Sequence, residues 1–141
     1  MLQHPARTIT MPLPMVVTTG AGEAELDAEL RYDPADPFAV SLAIGTECGE
    51  PVLWTFARDL LSAGISQPSG EGDITIEPDF ASDLDSDERM LRITLATDCM
   101  ATMLTPTNNV VEFLVESFTV VPTGSEMDRI DWDAEIAALI A

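Results

Sequence analysis

The reactive side chains of this 141-residue chain are almost all carboxylates: 25 aspartates and glutamates, against one histidine and two cysteines. Carboxylates do acid–base work as pairs whose pKa values a cleft pushes apart. Among so many, chance proximity is expected, and aromatics at 6% offer few of the platforms a glycosidase-like pair uses. His4 is the only histidine and falls in an N-terminal arm, about residues 1–7, expected to be disordered. That argues against Ser-His-Asp and Cys-His catalysis and against a histidine zinc site. Cys48 and Cys99 have no CxxC partner and are expected as buried free thiols rather than as a disulfide. Gly70-Glu71-Gly72-Asp73 has the outline of a phosphate loop but neither a lysine nor a following helix start, so a tight turn into a strand is expected. Asp83, Asp85, Asp87 and Glu88 alternate as Ca²⁺ ligands do, yet the central glycine and distal glutamate of an EF-hand are missing. A solvated hairpin loop is the better reading. No catalytic residue, metal or cofactor is expected.

Charge excludes further classes. The six cationic residues are all arginine, at positions 7, 31, 58, 89, 92 and 129, and the formal net charge is −19. Such a surface repels phosphate backbones and anionic membrane leaflets, because both are bound by neutralising their charge with cations. High net charge serves solubility; its one local concentration here is Asp79 to Glu88. No apolar run approaches the roughly 20 residues that span a bilayer. The first residues lack the charged and apolar regions of a signal peptide. The expectation is one cytoplasmic domain over residues 1–141.

These side chains must be carried by short elements. Thr8 to Val17 alternates loosely, and Pro12 and Pro14 remove ladder donors, so an edge strand or irregular arm is expected. Leu26 to Tyr32 reads as a strand and Asp33-Pro34-Ala35-Asp36-Pro37 as a rigid turn. Phe38, Val40, Leu42 and Ile44 share one face of a second strand, and Val52, Trp54 and Phe56 one face of a third. A short helix then ends at Gly64, expected in a left-handed conformation with Ile65 packed back on Leu60. Ile74 to Ile76, Met90 to Leu95 and about Met100 to Leu104 read as further strands. Thr105 is the expected N-cap, and Pro106 the first residue, of a helix with a stripe of Val110, Val111, Leu114, Phe118 and Val121, stopped by Pro122. Asp131 is expected to cap a last helix carrying Trp132, Ile136, Leu139 and Ile140. Strands, helix, strands and two helices make an antiparallel α+β domain. No internal repeat is apparent.

Arg58 and Asp59 are helix neighbours and point apart. With arginine so scarce, Arg58 is expected to anchor its helix to the sheet through an ion pair. Trp54 and Trp132 are expected as core anchors.

Two stretches also carry a resemblance. Leu30-Arg31-Tyr32-Asp33 with Ala35-Asp36-Pro37-Phe38-Ala39-Val40, and Trp54 with Phe56-Ala57-Arg58-Asp59-Leu60-Leu61 and Gly64, are similar to the SsgA-like regulators of sporulation-linked cell division. Pro68-Ser69-Gly70, Gly72-Asp73 and Asp131 to Ile140 follow in the same order. The resemblance implies a non-enzymatic adaptor that helps localise the division protein FtsZ to septa, with FtsZ and other SsgA-like proteins as partners. It also implies Whirly-like packed antiparallel sheets with one short and two longer C-terminal helices, assembled as a homotrimer. Tyr32, Asp36, Trp54 and Arg58 are the candidate partner-binding residues. The alternative is a Whirly-like module for single-stranded nucleic acid. That function requires a cationic groove with stacking aromatics, which this composition opposes.

Overall fold

A computed structural model describes residues 7–46, 49–79, 89–96 and 100–129, with 136, 137 and 139. Outside these lie His4, Cys48, Cys99, the acidic segment beyond Asp79, the Asp131 cap and Trp132. The strands are β1 (Ile9–Thr19), β2 (Gly22–Tyr32), β3 (Ala39–Thr46), β4 (Gly49–Ala57), β5 (Ser69–Glu71), β6 (Ile74–Pro78), β7 (Met90–Ala96) and β8 (Met100–Pro106). The helices are α1 (Arg58–Gly64) and α2 (Thr107–Val120), followed by a 3₁₀ turn over Glu126–Arg129. All eight strands join one antiparallel sheet in the order β4-β3-β2-β1-β8-β7-β6-β5. The chain is thus two four-strand meanders, each followed by a helix, so the topology repeats where the sequence does not. Each helix crosses to the other half: α1 packs on β5 and β6, and α2 on β1.

Period-two patterning explains the core. Leu91, Ile93 and Leu95 of β7 are buried while Arg92 and Thr94 between them are half-buried, and Val40 and Leu42 of β3 are buried on one face. Phe113 at the centre of α2 is fully buried. Two expectations of side-chain facing change: Phe38 precedes β3 and is 45% exposed, and Val111 lies on the solvent side of α2. Val52 does share a face with Trp54 and Phe56, but at the edge strand that end of the face is exposed.

β1 is neither an arm nor an edge strand. It lies at the centre of the sheet, paired along its whole length with β2 and with β8 only over Val16 to Thr18. The prolines are accommodated by parity. In an antiparallel strand the N–H and C=O of one residue point to the same side, and the sides alternate along the chain. The Pro14 carbonyl accepts a hydrogen bond from Thr105 Oγ1 of β8 at 2.8 Å. Pro14, and Pro12 two residues before it, therefore turn their donor-less nitrogens toward β8 and cost the β2 ladder nothing. The β1–β8 ladder starts only beyond them.

Two helix ends also differ from expectation. Thr105 belongs to β8 and spends its hydroxyl on Pro14, so Pro106 occupies the N-cap of α2, without a side-chain cap. Gly64 is not left-handed: positive φ occurs at Gly22, Gly72 and Gly124, and Ile65 at the C-cap is right-handed helical. The requirement at Gly64 is space. A Cβ there would stand 2.4 Å from Ile76 Cγ2 and 2.7 Å from Ile76 Cβ, closer than real side chains approach, so glycine lets α1 lie directly on β6. Gly72, at φ 60°, is the first residue of the two-residue turn from Glu71 to Ile74. The glycine-rich segment is therefore half of a β5–β6 hairpin.

Candidate functional site

Of the expected partner-binding residues, Tyr32 and Arg58 come together, and they do so in the interior rather than on a surface. Tyr32 ends β2, Trp54 lies on β4, Arg58 begins α1, and Asp36 sits in the turn between β2 and β3. That turn is built from its aspartates. The Ala35 N–H donates to Asp33 Oδ1 at 2.9 Å, the Asp36 N–H to the Asp33 carbonyl at 2.8 Å, and the Ala39 N–H to the Asp36 carbonyl at 3.2 Å. The Tyr32 hydroxyl reaches across it to the Pro37 carbonyl at 2.9 Å, and the Arg58 N–H donates to the Phe38 carbonyl at 2.7 Å. The turn and the start of α1 are thereby fixed to each other.

Arg58 is 1% exposed. Its Nη1 donates to the carbonyls of Ser117 at 3.2 Å and Val121 at 2.8 Å, and its Nη2 to Glu126 Oε1 at 2.9 Å. The guanidinium carbon lies 4.2 Å from the Phe118 ring centre and 4.9 Å from that of Tyr32. One cation thus closes the C-terminal end of α2, where backbone carbonyls concentrate partial negative charge. It also clamps the 3₁₀ turn and fills the space between two aromatic faces. Glu126 is buried and also accepts the Gly124 N–H at Oε2, 2.8 Å away. Its carboxyl is held below the ordinary range, first by its own backbone N–H and then, against the opposing effect of burial, by hydrogen bonds from Arg58 and Gly124 and by the Arg58 charge.

This arrangement revises the reading of Arg58. It does anchor α1 through an ion pair, but to α2 and the turn after it rather than to the sheet. Tyr32 is fully buried, and neither residue presents its side chain to solvent. Trp54 packs partly buried against the core, and of the four only Asp36 is exposed. Sequence reasoning missed Glu126, Ser117 and Phe113. For Glu126 the usable signal was weak: one of 25 acids, separated from Arg58 by most of the second half of the chain.

The solvent-facing apolar side chains lie elsewhere. Leu53 on the edge strand β4 is 56% exposed, with Val52 beside it. Val111 and Val115, four residues apart on α2, face solvent together, and Met127 follows in the 3₁₀ turn. Among the described residues no cluster of three or more histidines, cysteines or carboxylates is placed to hold a metal ion. No helix among them is long and apolar enough to cross a membrane. Chemically, the site is a rigid scaffold, and the exposed apolar side chains lie apart from it.

Comparison with known proteins fits this character. Residues 26–126 match the model of the Streptomyces sporulation and cell division protein SsgA. The sporulation-specific cell division protein SsgB of Frankia casuarinae is 39% identical over 99% of this chain and 94% of its own length. The SsgB of Thermobifida fusca is 42% identical over 79% of each chain. Among solved structures, an SsgA-like sporulation-specific cell division protein from Thermobifida fusca superimposes with a TM-score of 0.82 at 35% identity, covering 97% of this chain and 98% of that one.

Proposed function

The chain belongs to the SsgA family of sporulation and cell division proteins, and from that membership we propose that it is a non-enzymatic adaptor of sporulation septation. It works in the cytoplasm at the division septum as a homotrimer, helping to localise FtsZ together with other SsgA-like proteins. The observation that carries this reading is the 39% identity to a sporulation-specific cell division protein along 99% of the chain. A Whirly-like fold is part of this proposal; where the resemblance implies packed sheets, the eight strands form one antiparallel sheet.

Fold analogy does not transfer nucleic-acid binding. Arg31, Arg58 and Arg92 are each paired with carboxylates, on a chain of net charge −19. No single-strand binding is expected at physiological salt, and micromolar affinity by anisotropy would refute that. FtsZ is itself acidic, so its contact rests on exposed apolar residues such as Leu53, Val111 and Val115 rather than on opposite charge, and added salt should weaken it little. The test is light scattering of the purified protein, alone and with FtsZ of its own organism. A trimer that forms a complex supports the reading; a monomer that forms none refutes it.

A further inference from the structure

Where β1 and β8 part at the prolines, the sheet opens into a groove of about 480 Å³. Its position follows from the strand order. β1 supplies the floor with Pro14. On the β8 and β7 side stand Leu104, Pro106 and Met90, all apolar. On the β2 side stand Glu25 and Asp27, paired in register with Val16 and Pro14 of β1. One wall is apolar and the other is acidic.

The acidic wall has a period. Glu23, Glu25, Asp27 and Glu29 alternate along β2 and so project from one face, about 7 Å apart. Glu29 is neutralised by Arg31. Among the described residues no cation lies within ion-pair distance of Glu23, Glu25 or Asp27. An extended peptide laid along the groove sends alternate side chains to opposite walls, with the same two-residue repeat. Arginines or lysines at every second position would meet Glu25 and Asp27, and the residues between them would meet Met90, Leu104 and Pro106.

We propose that this groove docks a short extended segment of a partner protein, in which cationic residues alternate with aliphatic ones. A second copy of this chain does not fit, because no two of its six arginines stand two positions apart. Nucleic acid has the wrong sign. The inference uses the adaptor reading only in taking the occupant to be a protein.

The test is fluorescence anisotropy of the full chain with a labelled peptide of alternating arginine and leucine. Its isomer, with the arginines and leucines in separate blocks, is the control. The alternating peptide should bind, bind at least tenfold more weakly as salt rises from low to physiological, and outcompete the isomer. Glu25→Gln with Asp27→Asn should lower its affinity at least tenfold, and Leu104→Ser should lower it as well. Glu112→Gln on the exposed side of α2 should change nothing. Circular dichroism checks that each variant is folded. Equal binding of both isomers, unchanged binding to the Glu25/Asp27 variant, or loss of peptide binding as the protein self-associates would each overturn the proposal. The titration contains no FtsZ, and the light-scattering test contains no peptide, so failure of one reading is distinguishable from failure of the other.

Discussion

Arg58→Met keeps a long unbranched stem in the interior and removes the guanidinium, isolating what the charge does. Three acceptors lose a donor: the carbonyls of Ser117 and Val121 and Oε1 of Glu126. The Ser117 carbonyl still accepts the Val121 N–H at 2.9 Å, so the uncompensated losses fall on Val121 and Glu126. Breaking a buried ion pair by removing one partner costs about 3–5 kcal/mol. Stacking against Phe118 and Tyr32 adds about 0.5–2 kcal/mol. Among the described residues Arg58 Nε has no acceptor, so the substitution also relieves one orphaned donor, an offset of about 1–3 kcal/mol. The net expectation is a loss of about 3 kcal/mol from a total of about 5–15. At about 3–5 °C per kcal/mol, that lowers Tm by roughly 10–15 °C.

Urea unfolding followed by tryptophan fluorescence, with calorimetry for Tm, measures the loss. The mechanism is tested by a cycle with Glu126→Gln. If the cation acts through Glu126, the double variant is clearly less destabilised than the sum of the two single ones. Arg58→Lys should fall between wild type and Arg58→Met, because an ammonium cannot reproduce the planar fork. A loss below about 1 kcal/mol for Arg58→Met, the size of a surface change, would refute the clamp. Strict additivity with Glu126→Gln would refute its coupling to the 3₁₀ turn.

Three other perturbations probe separate joints. Gly64→Ala places a methyl group against Ile76 and should cost about 1–3 kcal/mol in urea unfolding, with part of the loss recovered by Ile76→Ala. A Gly64→Ala variant as stable as wild type would contradict the close approach of α1 to β6. Thr105→Val is nearly isosteric but removes the donor to the Pro14 carbonyl, and should cost about 1–3 kcal/mol by the same assay. For pH, the folded pKa of Glu126 is lowered from 4.5, so its contribution is fully present above that value and is lost as pH falls through the folded pKa. The stability gap between wild type and Glu126→Gln should therefore hold from pH 7 to about 5 and narrow toward pH 3. A gap independent of pH would show that the carboxylate charge contributes nothing.

Element order was legible because it depends on local signals. Leu91, Ile93 and Leu95 alternate, the aspartates and prolines of residues 33–37 make a turn wherever they occur, and a glycine ends α1. The failures occurred where tertiary contact reassigned a local signal. Pro12 and Pro14 locally favour an edge strand or an irregular arm, yet strand parity lets a proline pair sit at the centre when the neighbour on that side starts later. Gly64 carried a correct stop for an incorrect reason, because nothing local reveals that Ile76 lies against it. Thr105 looked like a cap since its other use, on Pro14, spans 91 residues of sequence. Phe38 took its place in an alternating pattern that begins only one residue later. The candidate site failed in the same way: a scarce arginine signals importance, but not whether it faces a partner or the interior.

The interior answer changes what the family resemblance marks. The stretch from Trp54 to Gly64 touches both halves of the duplicated topology: Trp54 packs on the core, Arg58 holds the end of α2 and the 3₁₀ turn, and Gly64 rests on β6. Since α1 packs on the second meander and α2 on the first, each half completes its core with a helix from the other. A segment that couples two halves has few freedoms, because each change in it is felt by both. Surfaces that meet partners carry no such double constraint. The groove between β1 and β8 owes its opening to two proline nitrogens and its sign to alternate residues of β2, so its chemistry can change without disturbing the Arg58 clamp. A chain built this way can keep one scaffold while the chemistry of its groove varies.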